Sequence, residues 1–175
     1  RSRHPRINVT VHDVINEQVI EMVRDRQVEL GIAFEPEAAG SLTFTPLFID
    51  RFVAGVPPRP LRARHHSLAE LTHDFSALQR PSMVRRLLEQ QLGERGIRLP
   101  AAFESHQLAT VGRMVASGLG VSAVPSLCAR QMEELGARCL PLADPAIERA
   151  VGMLTHGELS AAALALQQVL VATLG

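Results

Sequence analysis

The chain has 175 residues, 46% of them hydrophobic, with basic and acidic residues balanced at 18 each. That is enough to bury a substantial core in one domain or two small lobes, and the neutral balance gives no electrostatic footprint for nucleic acid or an anionic membrane. Every basic residue is Arg, which excludes a Schiff-base lysine and a phosphate-loop lysine, and no apolar run approaches the roughly 18–20 residues that span a bilayer.

Ile7, Val9 and Val11 alternate with Asn8, Thr10 and His12, the period of a half-buried strand. Ile15, Val19, Met22 and Val23 then fall on one helical face, and Val28, Leu30, Ile32 and Phe34 alternate again. This strand–helix–strand order predicts a βαβ unit in a parallel sheet. Residues 42–56 read as extended and apolar, interrupted by Asp50 and Arg51 and ended by Pro57 and Pro58. Residues 59–73 are a basic linker with a short helix. A second βαβ series follows: a strand at 75–78, then a helix capped by Ser82 with Val84, Leu87, Leu88 and Leu92 on its apolar face. Next come a strand at 101–104, a helix over 107–117 with Gly118 at its left-handed end, and a strand at 121–124 closed by Pro125. A helix from Ser126 to Leu135, strands at 139–142 and 150–155, and a final helix capped by Ser160 complete the chain. The fold class expected is α/β, with two similar lobes and a ligand cleft between them.

Motifs for chemistry are sparse. Gly118-Leu119-Gly120 follows a helix and precedes a strand, the reverse of a dinucleotide fingerprint. His65, His66 and His73 lack acidic or thiolate partners at ligand spacing. Cys128 and Cys139 have no metal-ligand spacing and read as buried thiols, with a redox pair as the alternative. No nucleophile elbow, zinc-protease motif or phosphate loop occurs. No catalytic residue, metal or cofactor is expected. The ends of strands carry more information, because open α/β sheets bind ligands there, beside helix N-termini. Three places qualify: Asp13 to Asn16, Gln79 to Met83, and Ser105 to Gln107. Asn16, Ser82 and Ser105 offer amide or hydroxyl groups beside backbone N–H donors, which suits a small anion, and Arg80 can add a charge-assisted bond.

The run Leu108-Ala109-Thr110-Val111-Gly112-Arg113-Met114-Val115-Ala116-Ser117-Gly118-Leu119-Gly120-Val121-Ser122-Ala123-Val124-Pro125 resembles the "LVaaGlGiallP" segment of LysR-type transcriptional regulators. Val9 to Asp13 through Arg26 to Ile32 is similar to that family's first strand–helix–strand, with Arg26 where Gly is usual and Glu29 where Asp is usual. Pro46 to Val53 resembles its crossing strand, and Arg59-Pro60-Leu61 sits where "HPLa" is common.

The resemblance implies an effector-binding domain: two Rossmann-like lobes joined by crossing strands, similar to type-2 periplasmic binding proteins. Lobe I would take residues 1–55 and 148–175, and lobe II residues 56–147. Mapped onto this sequence, the ligand positions fall on Asn16 in lobe I and on Arg80, Pro81, Ser82 and Met83, with Ser105 and His106 opposite, in lobe II. The implied function is effector sensing: a small, anionic metabolite enters the cleft and modulates DNA binding by a homodimer or homotetramer in the cytoplasm. The winged helix-turn-helix of the family is not among these residues, so DNA contact is expected only through a separate N-terminal domain. The family's first strand and helix would lie before Arg1, leaving lobe I incomplete at its N-terminus. No membrane partner and no enzymatic activity are expected. A solute-binding protein for a transporter is the alternative with the same fold, and an enzyme of similar bilobal fold finds no acid–base pair to support it.

Overall fold

The computed structural model describes residues 6–58, 66–67, 75–78, 80, 82–98, 101–144 and 146–174. The chain divides into two compact units, one of residues 1–49 with 149–175 and the other of residues 50–148. The sequence reading places the breaks at 55/56 and 147/148.

The first unit begins without its expected strand. Residues 7–11 are irregular, and Val9 and Val11 are 56% and 80% exposed. Alternation gives a segment the right faces, but a strand also needs a neighbour for its backbone hydrogen bonds. Among the described residues none runs alongside this one. The expected βαβ unit therefore does not form here. Helix α1 (Asn16–Arg24) does form and buries Val23 completely. Strand β1 (Leu30–Phe34) follows and pairs antiparallel with β8 (Glu148–Thr155), in register from Leu30↔Thr155 to Phe34↔Val151. The long strand β2 (Thr43–Val56) is the next neighbour of β8. Val23, Ala33, Leu42 and Leu154 make the core, with Val19, Ile20, Val28 and Phe44 against it. Helix α5 (Ala161–Leu174) starts at Ser160, whose Oγ accepts the Ala163 N–H at 3.2 Å. Residues 7–12, α1, β1 and α5 surround a groove of about 580 Å³ lined by Val9, Val11, Val19, Leu30, Leu166 and Leu170 among others.

The end of α1 is a Schellman turn: Gln27 N–H reaches Met22 O at 2.8 Å, and Arg26 N–H reaches Val23 O at 3.1 Å. This places Arg26 at φ 57°, in the left-handed region, the position where the resembled family usually carries Gly.

The second unit holds the parallel part of the fold. Strand β4 (Phe75–Leu78) pairs in parallel with β5 (Ala101–Ser105) and bridges in parallel to Val121, just before β6 (Ser122–Pro125). The C-terminal half of β2 lies between β6 and β7 (Arg138–Asp144), antiparallel to both. A two-residue strand β3 (His66–Ser67) runs parallel to β7. Burial along β2 records its two neighbourhoods. Its first half is largely exposed or half-buried, while Ala54, Gly55 and Val56 are consecutively buried, the pattern of a strand covered on both faces.

Helices α2 (Met83–Gly93), α3 (Leu108–Ala116) and α4 (Ala129–Glu134), the last preceded by a 3₁₀ turn over Ser126–Cys128, complete this unit. Val111, Val115, Val124, Met132 and Ala137 form one buried cluster. On α2 the buried residues are Met83, Arg85, Leu87, Leu88 and Leu92. Val84, expected on that face, is only half-buried. Met83 and Arg85 on either side of it are buried instead, the Arg85 side chain as long charged side chains allow.

Candidate functional site

In the second unit the β4–β5 register pairs Leu78 with Ser105, so two adjacent parallel strands end side by side. This is the end of an α/β sheet at which ligands are received. Arg80, Ser82 and Met83 follow β4, while Ser105 closes β5 and His106 comes next. The fold thus gathers five of the expected residues at one sheet end. Pro81 lies outside the described residues.

Their side chains differ in what they offer. Ser82 is extended, at φ −148° and ψ 122°, and caps α2 by accepting the Arg85 N–H at 3.4 Å. Such a cap satisfies one of the free donors of a first turn and leaves the others pointing outward. Ser105 accepts the Gln107 N–H at 3.2 Å, and both it and Ser82 are half-buried. His106 is exposed. Met83 is 3% exposed and belongs to the core, so its contribution is packing.

Arg80 is already engaged. Its Nη2 meets both carboxylate oxygens of Glu89, at 2.8 and 2.7 Å. Arg85 joins the same carboxylate through Nε at 2.6 Å and reaches Glu104 through Nη1 at 3.0 Å. Burial pulls the Glu89 carboxyl upward, but the hydrogen bonds and charges of Arg80 and Arg85 outweigh it and hold the group below the usual carboxylate range. Sequence reasoning missed Arg85, Glu89 and Glu104. The i, i+4 spacing of Arg85 and Glu89 was the available signal; the link to Glu104 exists only in the fold.

Asn16, in the first unit, opens α1 directly after Ile15, which provides no side-chain cap. Its Oδ1 accepts the Phe34 N–H at 2.8 Å, tying the start of the helix to the end of β1, and its Nδ2 is buried without a partner. The amide therefore keeps a donor to give. A second missed feature is Asp50, 2% exposed, whose Oδ1 accepts the Ser126 hydroxyl hydrogen while Oδ2 is buried without a partner. A lone carboxylate in an apolar run was its signal.

The thiols are pushed up to about 11, Cys128 by burial and then by Asp50, Cys139 by burial and then by Glu133 and Cys128. Thiolate, the reactive form, is scarce at such values. Among the described residues no group of three His, Cys, Asp or Glu is placed to hold a metal ion, and no helix is long and apolar enough to cross a membrane.

The chain resembles proteins of one family throughout. A family model described as the LysR substrate binding domain matches residues 1–175. The regulator YbhD of Escherichia coli (strain K12), described as an uncharacterized HTH-type transcriptional regulator, is 28% identical over 160 residues, 86% of this chain and 49% of YbhD. The chain thus spans about half the length of that relative. Among solved structures, the effector binding domain of QuiR in complex with shikimate superimposes with a TM-score of 0.86 at 15% identity, covering 98% of this chain and 84% of that one. The regulatory domain of Synechocystis PCC6803 CcmR in complex with 2-PG gives 0.86 at 16% identity, over 99% and 86% of the two chains. These likenesses show a fold of the periplasmic-binding-protein type-2 kind, shared with LysR effector-binding domains. With the family model matching from end to end, the chain belongs to the LysR substrate binding domain family.

Proposed function

We propose that this chain is the effector-sensing part of a LysR-type transcriptional regulator, binding a small organic acid and performing no chemistry on it. The observation that carries the reading is the side-by-side ending of β4 and β5, which puts Ser82, Ser105, Arg80 and His106 at one sheet end beside the first turn of α2. Met83 packs in the core beneath this sheet end, and Asn16 is the corresponding candidate of the first unit. Hydroxyls and helix N–H groups suit a carboxylate, and the shikimate and 2-PG complexes of QuiR and CcmR support that class. The effector acts by its differential affinity for two arrangements of the regulator. DNA is contacted through a separate helix-turn-helix domain in a cytoplasmic homodimer or homotetramer, matching paired half-sites.

A thermal-shift screen of small organic acids, with shikimate and 2-PG included, tests this. A true effector at a hundredfold excess over its Kd adds about 2.7 kcal/mol, a rise of roughly 5–10 °C in Tm for a domain of this size. The double substitution Ser82→Ala with Arg80→Ala is expected to remove most of that rise. Full retention of the rise in the double variant would remove the assigned loop from the site.

A further inference from the structure

Arg85 is only 6% exposed, yet it bonds two carboxylates from two elements, Glu89 of α2 and Glu104 of β5. Glu89 in turn holds Arg80. A continuous series, Arg80–Glu89–Arg85–Glu104, therefore runs from the segment after β4 to the end of β5. Its two ends flank the candidate contacts, since Arg80 shortly precedes Ser82 and Glu104 immediately precedes Ser105.

Stability alone does not account for this arrangement. Desolvation of a buried ion pair commonly offsets its Coulomb attraction, and apolar replacements of similar volume are often as stable. A guanidinium does provide geometry: its planar fork fixes two carboxylates relative to each other. The backbone here needs such help. β5 is paired only with β4 among the described residues, the register shifts between Phe75 and Ser76, and the middle of β5 is exposed.

We propose that Arg85 is a positioning residue for the effector site. It holds the start of α2 and the end of β5 at one separation, so that Ser82 and Ser105 address the same ligand. This rests on reading those two segments as effector contacts. Because the Arg80 and Arg85 guanidinium groups already bond Glu89 and Glu104, the hydroxyl and N–H donors are left to set the ligand's orientation.

The test is amide NMR on the 175-residue chain. Glu104→Gln, at a side chain 44% exposed, weakens the link at its β5 end without emptying the core. It is expected to shift the Ser82 and Met83 amide resonances at the start of α2. In an Arg85→Met background the same substitution is expected to leave those resonances in place. Arg85→Lys keeps the charge and stem without the fork, transmits a smaller shift, and serves if the Met variant does not fold. Equal Ser82 shifts with and without Arg85, or no shift in either, overturns the proposal. Failure of Ser82→Ala to weaken effector binding in the thermal screen removes the effector reading and with it the positioning role, while leaving the NMR coupling intact. The two failures are thus told apart.

Discussion

Helices of the second unit end on Gly96, Gly118 and Gly136, all at positive φ, whereas α1 of the first unit makes the same kind of turn on Arg26 at φ 57°. The strands differ in a parallel way. In the second unit β4 finds β5 on one side and Val121, just before β6, on the other. In the first, residues 7–11 have a strand's alternation and no ladder. Local chemistry and long-range pairing agree in one unit and diverge in the other, and such agreement is what makes a fold well specified. The second unit is accordingly where the candidate site has its best-defined supports.

Four substitutions test this contrast. Phe75→Ala strikes the second unit at a fully buried ring on β4 and is expected to cost about 3–5 kcal/mol, read by urea denaturation. A much smaller loss would mean that this core is less consistent than its packing indicates. Gly152→Ala makes the matching break in the first unit. A Cβ there would stand 2.5 Å from the Thr45 carbonyl oxygen and from the Phe44 ring, and backbone cannot easily move aside. A loss of about 1–3 kcal/mol is expected from such overpacking. Arg26→Gly relieves the left-handed position and is expected to stabilise by about 0.5–1 kcal/mol, the steric relief exceeding glycine's added chain entropy. An unchanged denaturation midpoint would show that α1 tolerates its end without strain.

The smallest effect is pH-dependent. The depressed Glu89 carboxyl contributes stability that is present above its unfolded pKa of about 4.3 and lost as pH falls through the folded value. Arg80→Ala removes part of that depression. The wild type should therefore exceed the variant near neutral pH, and the difference should vanish in acid. A difference that persists below pH 2 would assign the role of Arg80 to packing.

Much of the second unit is legible in the sequence. Ser82, Gly118 and Pro125 mark element ends by local rules that depend on few neighbours. The run from Leu108 to Pro125 marks the family and, in the structure, proves to be α3, its glycine end and β6. Residues 7–11 mislead because alternation states which face a residue would take and not whether a partner strand exists. Arg80 was readable as a cation near the site, but its engagement by Glu89 was not, since that contact depends on how α2 is set against the end of β4. Arg85 is harder still: its partner Glu104 is 19 positions away, and only the β4–β5 pairing brings the two together.

The groove of the first unit has a consequence for the chain in solution. Among the described residues β1 is hydrogen-bonded to a neighbouring strand on one side only, by β8. The groove borders that strand, and Ile32 on β1 is 44% exposed. An open edge beside apolar surface is a template for extended polypeptide from any source, including another molecule of the same chain. This edge is therefore an expected site of self-association for the 175-residue chain, and a charged residue in place of Ile32 is expected to blunt it.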